Sequence, residues 1–507
     1  MIKPLENPNG DKKQVVIVAM PWMENEMPLM APAVLKAAAE AAGFSCLGVD
    51  INTEIKYHVT ACFKDNIRLV TNYFMQREPV PIEIELRLHE IFNIIADQIL
   101  SFSPQWVGLS LLTWTCQQSS ELLARCLRQK NPAVKIVIGG PGIIQGFNID
   151  SVYARDLLDQ GIIDFYVHGD AEISFVQLLQ GNIDYPGINN PNWQRLTNNE
   201  INSVPIPNYD DYSFDLNSIK VLSIIGSRGC VRQCTYCDYI VNWDKYVWRK
   251  AENIFAEVLH HARTYNINYF KFQDSLINGN QKEFLLLLEL FADHNEKNPN
   301  DQVWWSGMYI FREPTAQSPR EWKLLSKSCK HLQVGIENFN KRIRYAMGKK
   351  FSNEAILYHL RQAAQYNIVI WILMIIGYPD ETVEEHEYNL QWLRDNKEFV
   401  GSVSFRMTTG LVVLPNTYLG NNAKQLGIKI NEKSHKAWVS EITGFDETAR
   451  AKWCLEMLET MKEIGFNYHV SESDNHTFEQ LLNTRIITNP LYDHNHKNVI
   501  PIKQAVG

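Results

Sequence analysis

Residues 226–237 read GSRGCVRQCTYC and are the most informative stretch of this sequence. Cys230, Cys234 and Cys237 stand there at C-x3-C-x2-C spacing, directly after an apolar segment, while the other six of the nine cysteines are scattered singly. A cubane iron–sulfur cluster needs four cysteines for full protein ligation, so three thiolates leave one iron open to a small molecule. The glycines at 226 and 229 allow the loop to turn tightly around such a cluster.

Other interpretations of this loop remain open. The three thiolates could hold zinc, although the loop itself offers no fourth cysteine or histidine, and His260 and His261 fall in a predicted helix. They could also belong to a different kind of iron–sulfur site, or be unligated thiols.

The loop lies in a region where apolar runs alternate with helical patterns. Such alternation predicts β/α units and a parallel sheet, and residues 220–414 are predicted to form a partial (β/α)6 barrel. Functional residues of parallel barrels lie at the C-terminal ends of the strands, which is where the cysteine loop falls. The predicted strands are near 221–226, 268–273, 303–309, 332–336, 369–376 and 402–409, and the helices between them are 252–265, 281–293, 318–327, 353–366 and 383–395.

A similar alternation precedes the barrel, so the predicted fold class is α/β throughout. Residues 1–185 are predicted to form a doubly wound, Rossmann-like domain, with strands at 14–20, 44–49, 106–112, 134–138 and 162–167. Residues 186–219 are rich in Asn, Pro and Asp and are predicted to be a linker. Residues 415–507 are predicted to be mainly helical, with helices near 433–442 and 447–464.

Composition narrows the range of partners. The 507 residues carry a net charge of −8 without a long basic run, which argues against a nucleic-acid partner. The N-terminal segment MIKPLENPNGDKK lacks an apolar core, and the most apolar run, 368–376, is too short to span a bilayer. We therefore expect a cytoplasmic protein with no membrane partner.

The cysteine spacing, with Tyr236 just before the third cysteine, is the signature of the radical S-adenosylmethionine (SAM) superfamily, which the sequence resembles over residues 220–420. Further motifs resemble those of the family and follow in its order. They are Phe272-Gln273-Asp274-Ser275, Gly335-Ile336-Glu337-Asn338, Met347-Gly348-Lys349, IIGYPDET at 375–382, and Pro415-Asn416-Thr417, where Asn replaces the family's Gly.

The resemblance implies a [4Fe–4S] cluster on the three cysteines that reductively cleaves SAM, giving methionine and a 5′-deoxyadenosyl radical that takes hydrogen from an unactivated carbon. It further implies that Tyr236 contacts the adenine and that Glu337 reaches the ribose hydroxyls. Gln273 and Asp274 would lie near the methionyl amine. An electron donor such as flavodoxin or ferredoxin is implied as a partner.

Two more residues are assigned to the SAM site, and several assignments have a structural alternative. Gly377 is expected near SAM but could simply shape a turn. Arg406 could bind the SAM carboxylate or form a surface salt bridge. Asp274 could cap the following segment, and Glu337 could be a plain surface carboxylate.

The N-terminal domain is similar to that of the cobalamin-binding class of this superfamily. Ser110-Leu111-Leu112 and Gly139-Gly140 resemble the later part of the pattern D-x-H-x-x-G…S-x-L…G-G, but D-x-H-x-x-G itself is missing, so no histidine is offered to the cobalt. The domain could therefore be a structural relic. If cobalamin binds, the expected contacts are Trp22, Met23, Ser110, Leu112, Gly139, Gly140, Gly169 and Glu172.

Together these features predict an enzyme, a cobalamin-dependent C-methyltransferase acting on a small molecule or peptide. A cyclisation, rearrangement or epimerisation without methyl transfer is the first alternative. A methylthiotransferase is the second, although the N-terminal domain lacks a second set of clustered cysteines. A non-catalytic iron–sulfur sensor or cobalamin-binding regulator is the third, and the ordered barrel motifs argue against it.

Overall fold

The computed structural model describes residues 3–23, 27–145, 148–214, 220–239, 243, 245–407, 410–431 and 434–470. Contacts between residues divide the chain into two units. The first consists of Met1–Ile224, Val247–Arg249 and Ala256–Phe270, and the second of Ile225–Tyr246, Lys250–Phe255 and Lys271–Gly507.

The first unit is built on a five-stranded parallel sheet with strand order β2-β1-β3-β4-β7. All five residues of β1 are buried, as is typical of a parallel strand covered by helices on both faces. The strands are β1 Val15–Ala19, β2 Cys46–Asp50, β3 Trp106–Ser110, β4 Lys135–Gly139, β5 Ile144–Gln145, β6 Asn148–Val152 and β7 Phe165–Val167. The helices are α1 Ala31–Ala41, α2 Asn52–Cys62, α3 Ile67–Gln76, α4 Ile82–Ser101, α5 Gln117–Lys130, α6 Tyr153–Asp159, α7 Ala171–Leu179 and α8 Asn198–Ser203.

A second sheet has seven strands in the order β18-β15-β14-β13-β12-β11-β8. The remaining strands of the chain are β8 Leu222–Ile224, β9 Ser227–Arg228, β10 Val247–Trp248, β11 Tyr269–Phe272, β12 Trp304–Tyr309, β13 Cys329–Glu337, β14 Val369–Met374, β15 Val403–Met407, β16 Ile428–Asn431, β17 Ser434–Ser440 and β18 Asn467–Val470. The helices are α9 Ala251–Tyr265, α10 Gln281–Lys297, α11 Ser318–Leu325, α12 Lys341–Ala346, α13 Asn353–Gln365, α14 Val383–Asp395, α15 Tyr418–Asn421 and α16 Glu447–Ile464.

The two faces of the second sheet differ in chemistry. On one face Trp305 packs against Phe284 and Phe291 of α10, with ring centroids 6.2 Å apart in each pair. Burial alternates along β14 with a period of two, so Trp371 belongs to the other face and remains partly exposed. We call that second face the open face; it carries the side chains of Lys271, His331, Trp371 and Arg406.

The predicted α/β class and strand–helix alternation are confirmed, and each predicted barrel strand is present. The helix predicted at 433–442 is wrong, because this segment is β17, which pairs antiparallel with β16. Burial alternates along β17 as expected of a strand, because Trp438 and Ser440 are buried while Val439 between them is exposed. The seventh strand β18 was not expected, and the predicted linker 186–219 contains the short helix α8.

Two further findings concern the membrane prediction and the C-terminal region. In the described part of the chain, no helix combines the length and the apolar character needed to cross a membrane. Residues 471–507 of the predicted C-terminal region lie outside the described residues.

Candidate active site

The cysteine loop leaves the carboxyl end of β8 and is held there by the predicted Phe-Gln-Asp-Ser motif. The buried Asp274 carboxylate accepts hydrogen bonds from the Gly226 backbone N–H (2.9 Å) and the Ser227 hydroxyl (2.5 Å). Ser275 donates to the Gly229 carbonyl at 2.5 Å. Gly229 has φ +81°, and a Cβ there would lie 2.1 Å from the Lys245 carbonyl oxygen, so the turn requires glycine.

The three cysteines of the loop are not joined in disulfides; Cys234 is buried, and Cys230 and Cys237 are half-buried. Burial raises the pKa of Cys237 to about 11, and the nearby Cys234 and Cys230 groups act in the same direction. The three sulfur atoms are therefore close enough to influence one another electrostatically.

The arrangement of these thiols suits a cluster. No three His, Cys, Asp or Glu side chains among the described residues converge on a position for a single metal ion. Such convergence is not expected of cubane ligands, because each thiolate binds a different iron. Three thiols on one glycine-containing loop, free of disulfides, therefore fit the ligand set of a [4Fe–4S] cluster.

A turn formed by Met347, Gly348 and Lys349 supports the cysteine loop. The Thr235 backbone N–H donates to the Met347 carbonyl at 3.1 Å, and the Thr235 hydroxyl donates to the Ala346 carbonyl at 3.3 Å. Gly348 has φ +86°, and a Cβ there would lie 2.8 Å from the Gln233 carbonyl oxygen and 3.2 Å from the Cys234 Cα. The backbone of the turn thus packs directly against that of the loop.

The same turn places the Lys349 side chain at the end of β13. Lys349 Nζ lies 3.0 Å from Glu337 Oε1, and both side chains are almost buried. Burial lowers the pKa of Lys349, but the Glu337 carboxylate and the Cys234 and Cys230 thiolates raise it, and the net shift is upward. Lys349 is therefore a positive charge shared between the glutamate and the cysteine loop.

Glu337 itself occupies an unusual backbone position. Its φ is +68°, in the left-handed region that non-glycine residues rarely adopt, and the pairing of β13 with β14 is irregular between Gly335 and Glu337. Its carboxylate turns back over Gly335, where a Cβ would lie 2.3 Å from Oε1 and 2.7 Å from Lys349 Nζ. Backbone strain of this kind concentrates at functional sites.

Tyr236 joins this group. Burial raises the pKa of its phenol, and the nearby charge of Glu337 acts in the same direction. The structure thus brings Tyr236 and Glu337, the predicted adenine and ribose contacts, together beside the cysteine loop. Gln273 is exposed, directly after β11.

Glu381, which the sequence analysis did not single out, organises the loop after β14. One carboxylate oxygen accepts the backbone N–H groups of Gly377 and Tyr378, both at 3.0 Å. The other accepts the side-chain amides of Asn338 (2.8 Å) and Asn389 (3.3 Å). Burial raises the pKa of Glu381 to about 7, although these hydrogen bonds oppose the shift. The Gly-Tyr-Pro-Asp-Glu pattern was the available signal for this residue.

Two other predicted SAM contacts have structural partners of their own. Gly377 has φ +85°, and a Cβ there would lie 2.6 Å from Arg450 Cγ and 2.6 Å from Phe445 Cε1. Its need for glycine therefore follows from turn geometry and packing. The Arg406 guanidinium lies over the Trp371 ring, 4.4 Å from its centroid. Contact of either residue with SAM stays a prediction.

In the first unit, several of the predicted cofactor contacts lie at the carboxyl edge of the sheet. The strand order changes direction between β1 and β3, and ligands of open parallel sheets bind at such switch points. Ser110 ends β3 at this edge, and Leu112 follows it with 43% of its surface exposed. Gly140 has φ +100°, and a Cβ there would lie 2.4 Å from the Leu111 carbonyl oxygen, so the chain segments leaving β3 and β4 touch through their backbones.

The loop after β1 faces partly inward. Trp22 is buried and stacks on Phe74 with 5.2 Å between ring centroids, so its ring belongs to the core. Met23 is half-buried, and its sulfur accepts a hydrogen bond from the Thr113 hydroxyl at 3.2 Å. Thr113 follows β3, so Met23 lies at the switch point.

The last two predicted cofactor contacts lie after β7. Gly169 has φ +85°, and a Cβ there would lie 2.0 Å from the Trp193 ring. Glu172 is buried in the first turn of α7. Packing against Trp193 explains the glycine at 169, and contact of either residue with a cofactor stays a prediction.

Two apolar side chains are exposed at the switch point. Leu112 and Trp114 are exposed there by 43% and 44%, so both are accessible to an apolar ligand. The loop after β1 supplies no histidine in its sequence, MPWMENEMP at 20–28. The fit to cobalamin therefore rests on apolar contact and not on a cobalt ligand.

Comparison with known proteins finds a family match and similar sequences. Residues 224–393 match the family model described as the radical SAM superfamily. The chain is 25% identical over 329 residues to an uncharacterized methyltransferase of Pyrococcus horikoshii, covering 60% of this chain and 67% of that protein. It is 26% identical over 307 residues to the ribosomal protein uS12 methylthiotransferase RimO of Clostridium novyi, covering 57% of this chain and 61%, less than two thirds, of the relative.

Solved structures share the fold over most of the chain. The radical SAM methyltransferase TsrM of Kitasatospora setae superposes with a TM-score of 0.60 at 16% identity, covering 82% of this chain and 78% of TsrM. The cobalamin-dependent SAM radical enzyme OxsB superposes with a TM-score of 0.55 at 14% identity, covering 90% of this chain and 62% of OxsB. The match at residues 224–393 thus identifies a radical SAM domain within the chain, and most of the chain shares the fold of TsrM and OxsB.

Proposed function

We propose that this protein is a cobalamin-dependent radical SAM methyltransferase that methylates an unactivated carbon of a small molecule or peptide. The observation that carries the proposal is the C-x3-C-x2-C loop, fastened to the turn that brings Lys349 to Glu337. TsrM and OxsB, which have been solved with cobalamin and with SAM or a SAM analogue bound, share this fold, which supports the assignment of both cofactors.

With a reduced cluster bound, SAM would receive one electron at its sulfonium, and its C–S bond would break to give methionine and a 5′-deoxyadenosyl radical. That radical would take a hydrogen atom from the substrate. Cobalamin, when bound, would supply the methyl group. A flavodoxin or ferredoxin supplies the electrons. A further SAM supplies the methyl group carried by cobalamin.

The residues of the chain act by positioning. Glu337 accepts hydrogen bonds from the ribose hydroxyls of SAM, and Lys349 holds that carboxylate in place. Tyr236 lies beside Glu337 and packs against the adenine. Asp274 acts indirectly, because its hydrogen bonds to Gly226 and Ser227 fix the start of the cysteine loop.

The test is anaerobic purification with iron, sulfide and hydroxocobalamin, followed by desalting. We expect the ultraviolet–visible spectrum to show iron–sulfur absorbance together with retained corrin bands, and dithionite to yield 5′-deoxyadenosine from SAM. Cys234→Ala should lose the cluster and this product, whereas Cys62→Ala, at an exposed cysteine of α2, should retain both.

Two results would contradict the assignment. Cleavage of SAM by Cys234→Ala would remove the cysteine loop from the mechanism. Iron–sulfur absorbance without retained corrin would remove methyl transfer and leave a radical cyclisation, rearrangement or epimerisation.

A methylthiotransferase is the second candidate, because RimO proteins are among the relatives. Transfer of a methylthio group would need a sulfur source such as an auxiliary cluster. In the first unit, Cys46, Cys62, Cys116 and Cys126 stand singly in the sequence, without the close spacing of the cysteine loop. Iron analysis separates the candidates, since one cubane holds about four irons per chain and two hold about eight.

A further inference from the structure

Thr235 stands between Cys234 and Tyr236, and its hydroxyl has a second contact beside the Ala346 carbonyl. Thr235 Oγ1 lies 3.1 Å from the phenol oxygen of Tyr378, which itself donates a hydrogen bond to the Ala346 carbonyl at 3.2 Å. Two hydroxyls, one from the cysteine loop and one from the loop after β14, therefore share a carbonyl acceptor at the end of α12. This contact joins three segments that are far apart in the sequence.

The main chain of Thr235 is fixed on both sides, so its side chain is the part that remains to be aligned. Its N–H donates to the Met347 carbonyl at 3.1 Å, and its carbonyl accepts the Leu419 N–H at 3.0 Å. Leu419 belongs to the short helix α15, which is capped by the Thr417 hydroxyl accepting the Gly420 N–H at 3.1 Å. The cap therefore orders the helix that bonds the cysteine loop.

Tyr378 is held along its whole length. Its backbone N–H donates to Glu381 Oε2 at 3.0 Å, and its carbonyl accepts the Glu381 N–H at 2.9 Å. Its side chain is buried in an apolar cluster that includes Ile343, Met347 and Leu419. A tyrosine side chain has only two rotatable bonds, so fixing the backbone and the ring also fixes the hydroxyl.

The phenol is suited to act as a hydrogen-bond donor. Burial raises the pKa of Tyr378, although the hydrogen bond with Thr235 opposes this shift. The phenol therefore keeps its proton at neutral pH and can donate it to the carbonyl or to the Thr235 hydroxyl.

Either hydroxyl keeps an acceptor when the other is removed. In Tyr378→Phe the Thr235 hydroxyl still reaches the Ala346 carbonyl, and in Thr235→Val the phenol still reaches the same carbonyl. Neither change leaves a buried hydroxyl without a partner, and each keeps the shape of the side chain. The contact between the two hydroxyls can therefore be removed without a large loss of packing.

We propose that Tyr378 is a positioning residue whose hydroxyl, acting through Thr235, aligns the cysteine loop with the loop after β14. The residues on either side of Thr235 are the cluster ligand Cys234 and the adenine contact Tyr236, so a shift of Thr235 reaches both. The importance of this alignment rests on the proposed function, because Cys234 and Tyr236 serve SAM only under that function.

A double-mutant cycle on the reconstituted full-length protein tests the proposal. Tyr378→Phe and Thr235→Val should each weaken SAM binding about fivefold, which corresponds to the loss of about 1 kcal/mol from one hydrogen bond. The double variant should also bind about fivefold more weakly, and not about 25-fold, because both changes remove the same contact. SAM affinity is measured per intact cluster, so that a loss of iron does not enter the comparison.

A spectroscopic signature distinguishes positioning from support of the fold. Displacement of Cys234 should alter the electron paramagnetic resonance line shape of the reduced cluster, and the alteration should be the same in both single variants and in the double variant. A lower melting temperature with wild-type SAM affinity per cluster and a wild-type line shape would show a purely structural role. That result would overturn the proposal.

Tyr345→Phe is the matched control, since it removes an exposed phenol from α12, one residue before Ala346. It should leave both SAM affinity and the line shape unchanged. A loss of about 25-fold in the double variant would mean that the two hydroxyls act independently, and the proposal would be wrong. Failure of the wild type to bind a cluster or to cleave SAM would count against the proposed function as well, whereas wild-type behaviour of Tyr378→Phe would count against the role of Tyr378 alone.

Discussion

At the residue scale, the ion pair between Lys349 and Glu337 lies beside the cysteine loop, so the proposed SAM contact and the loop share one cation. The pair is almost buried, its anion sits on a strained backbone, and its cation lies within electrostatic reach of Cys230 and Cys234. In a region of low dielectric a single charge has a larger effect than at the surface. Lys349 should therefore influence both SAM affinity and cluster reduction.

Replacement of Lys349 by Met tests this link. We expect SAM to bind about tenfold more weakly because Glu337 loses its partner. Loss of a positive charge near the cluster should also lower its midpoint potential, on the order of 50 mV. Equilibrium binding and potentiometric titration followed by electron paramagnetic resonance measure the two effects.

Lys350→Met is the matched control, since this neighbouring lysine is exposed. It removes the same charge from the same segment and should change neither quantity appreciably. An unchanged potential in Lys349→Met would mean that the lysine only supports Glu337.

At the scale of structural elements, the contact between the Met347–Lys349 turn and the cysteine loop makes the loop dependent on α12 and the residues that follow it. The turn is bonded to the loop through Thr235 and touches it through Gly348. Because this contact is backbone to backbone, no side-chain rearrangement can relieve an added methyl group.

Gly348→Ala should therefore disturb the cluster. A Cβ at this position would meet the Gln233 carbonyl at 2.8 Å, displacing the loop and reducing the iron retained after desalting by at least about half. Gly401→Ala is the control, because Gly401 has a similar φ of +92° and no atom within 4 Å of its Cβ position. Both variants carry backbone strain of about 1 kcal/mol, but only Gly348→Ala should lose iron. Equal iron contents would disprove the role of the contact.

At the scale of the whole molecule, the apolar switch-point surface and the cysteine loop belong to different units, so their cofactors should be separable by mutation. The exposed Leu112 is the residue best suited to test the first unit. Cobalamin binding through apolar contact should be sensitive to a charge placed on that surface.

Leu112→Asp should lower the amount of corrin retained per chain by about tenfold or more, since a buried carboxylate costs several kcal/mol, while the iron content stays at the wild-type value. Ile183→Asp makes the same change at another exposed aliphatic residue of the first unit and should retain corrin. Corrin loss in both variants, or in neither, would count against a cobalamin site at the switch point.

Much of this architecture could be predicted from the sequence, because buried parallel strands appear in it as short apolar runs. The cysteine loop, Tyr236 and Glu337 were also identified by their motifs, and the structure places them together. Strand β17 was predicted as a helix because its alternation covers few residues, and β18 lacks a clear pattern since its alternate residues remain exposed.

The missed site residues depend on distant partners. Glu381 joins Asn338 to the loop at Gly377, a link that exists only once β13 and β14 are adjacent. The Arg406 guanidinium lies over Trp371, which is on another strand, and its contact with SAM stays a prediction. The sheet register determines the partners of such side chains, and the local sequence does not encode that register.

Strand β18 has a practical consequence for dissecting the protein. It pairs with β15 along four residues, from Ser404 with Asn467 to Met407 with Val470, although it follows the predicted barrel by more than fifty residues. A truncated fragment ending at 414 would expose the bare hydrogen-bonding edge of β15 and would also lose Arg450, which packs on Gly377. Exposed edges of this kind promote aggregation. Insolubility of such a fragment would therefore reflect the loss of β18 from the sheet and not a low stability of the barrel itself.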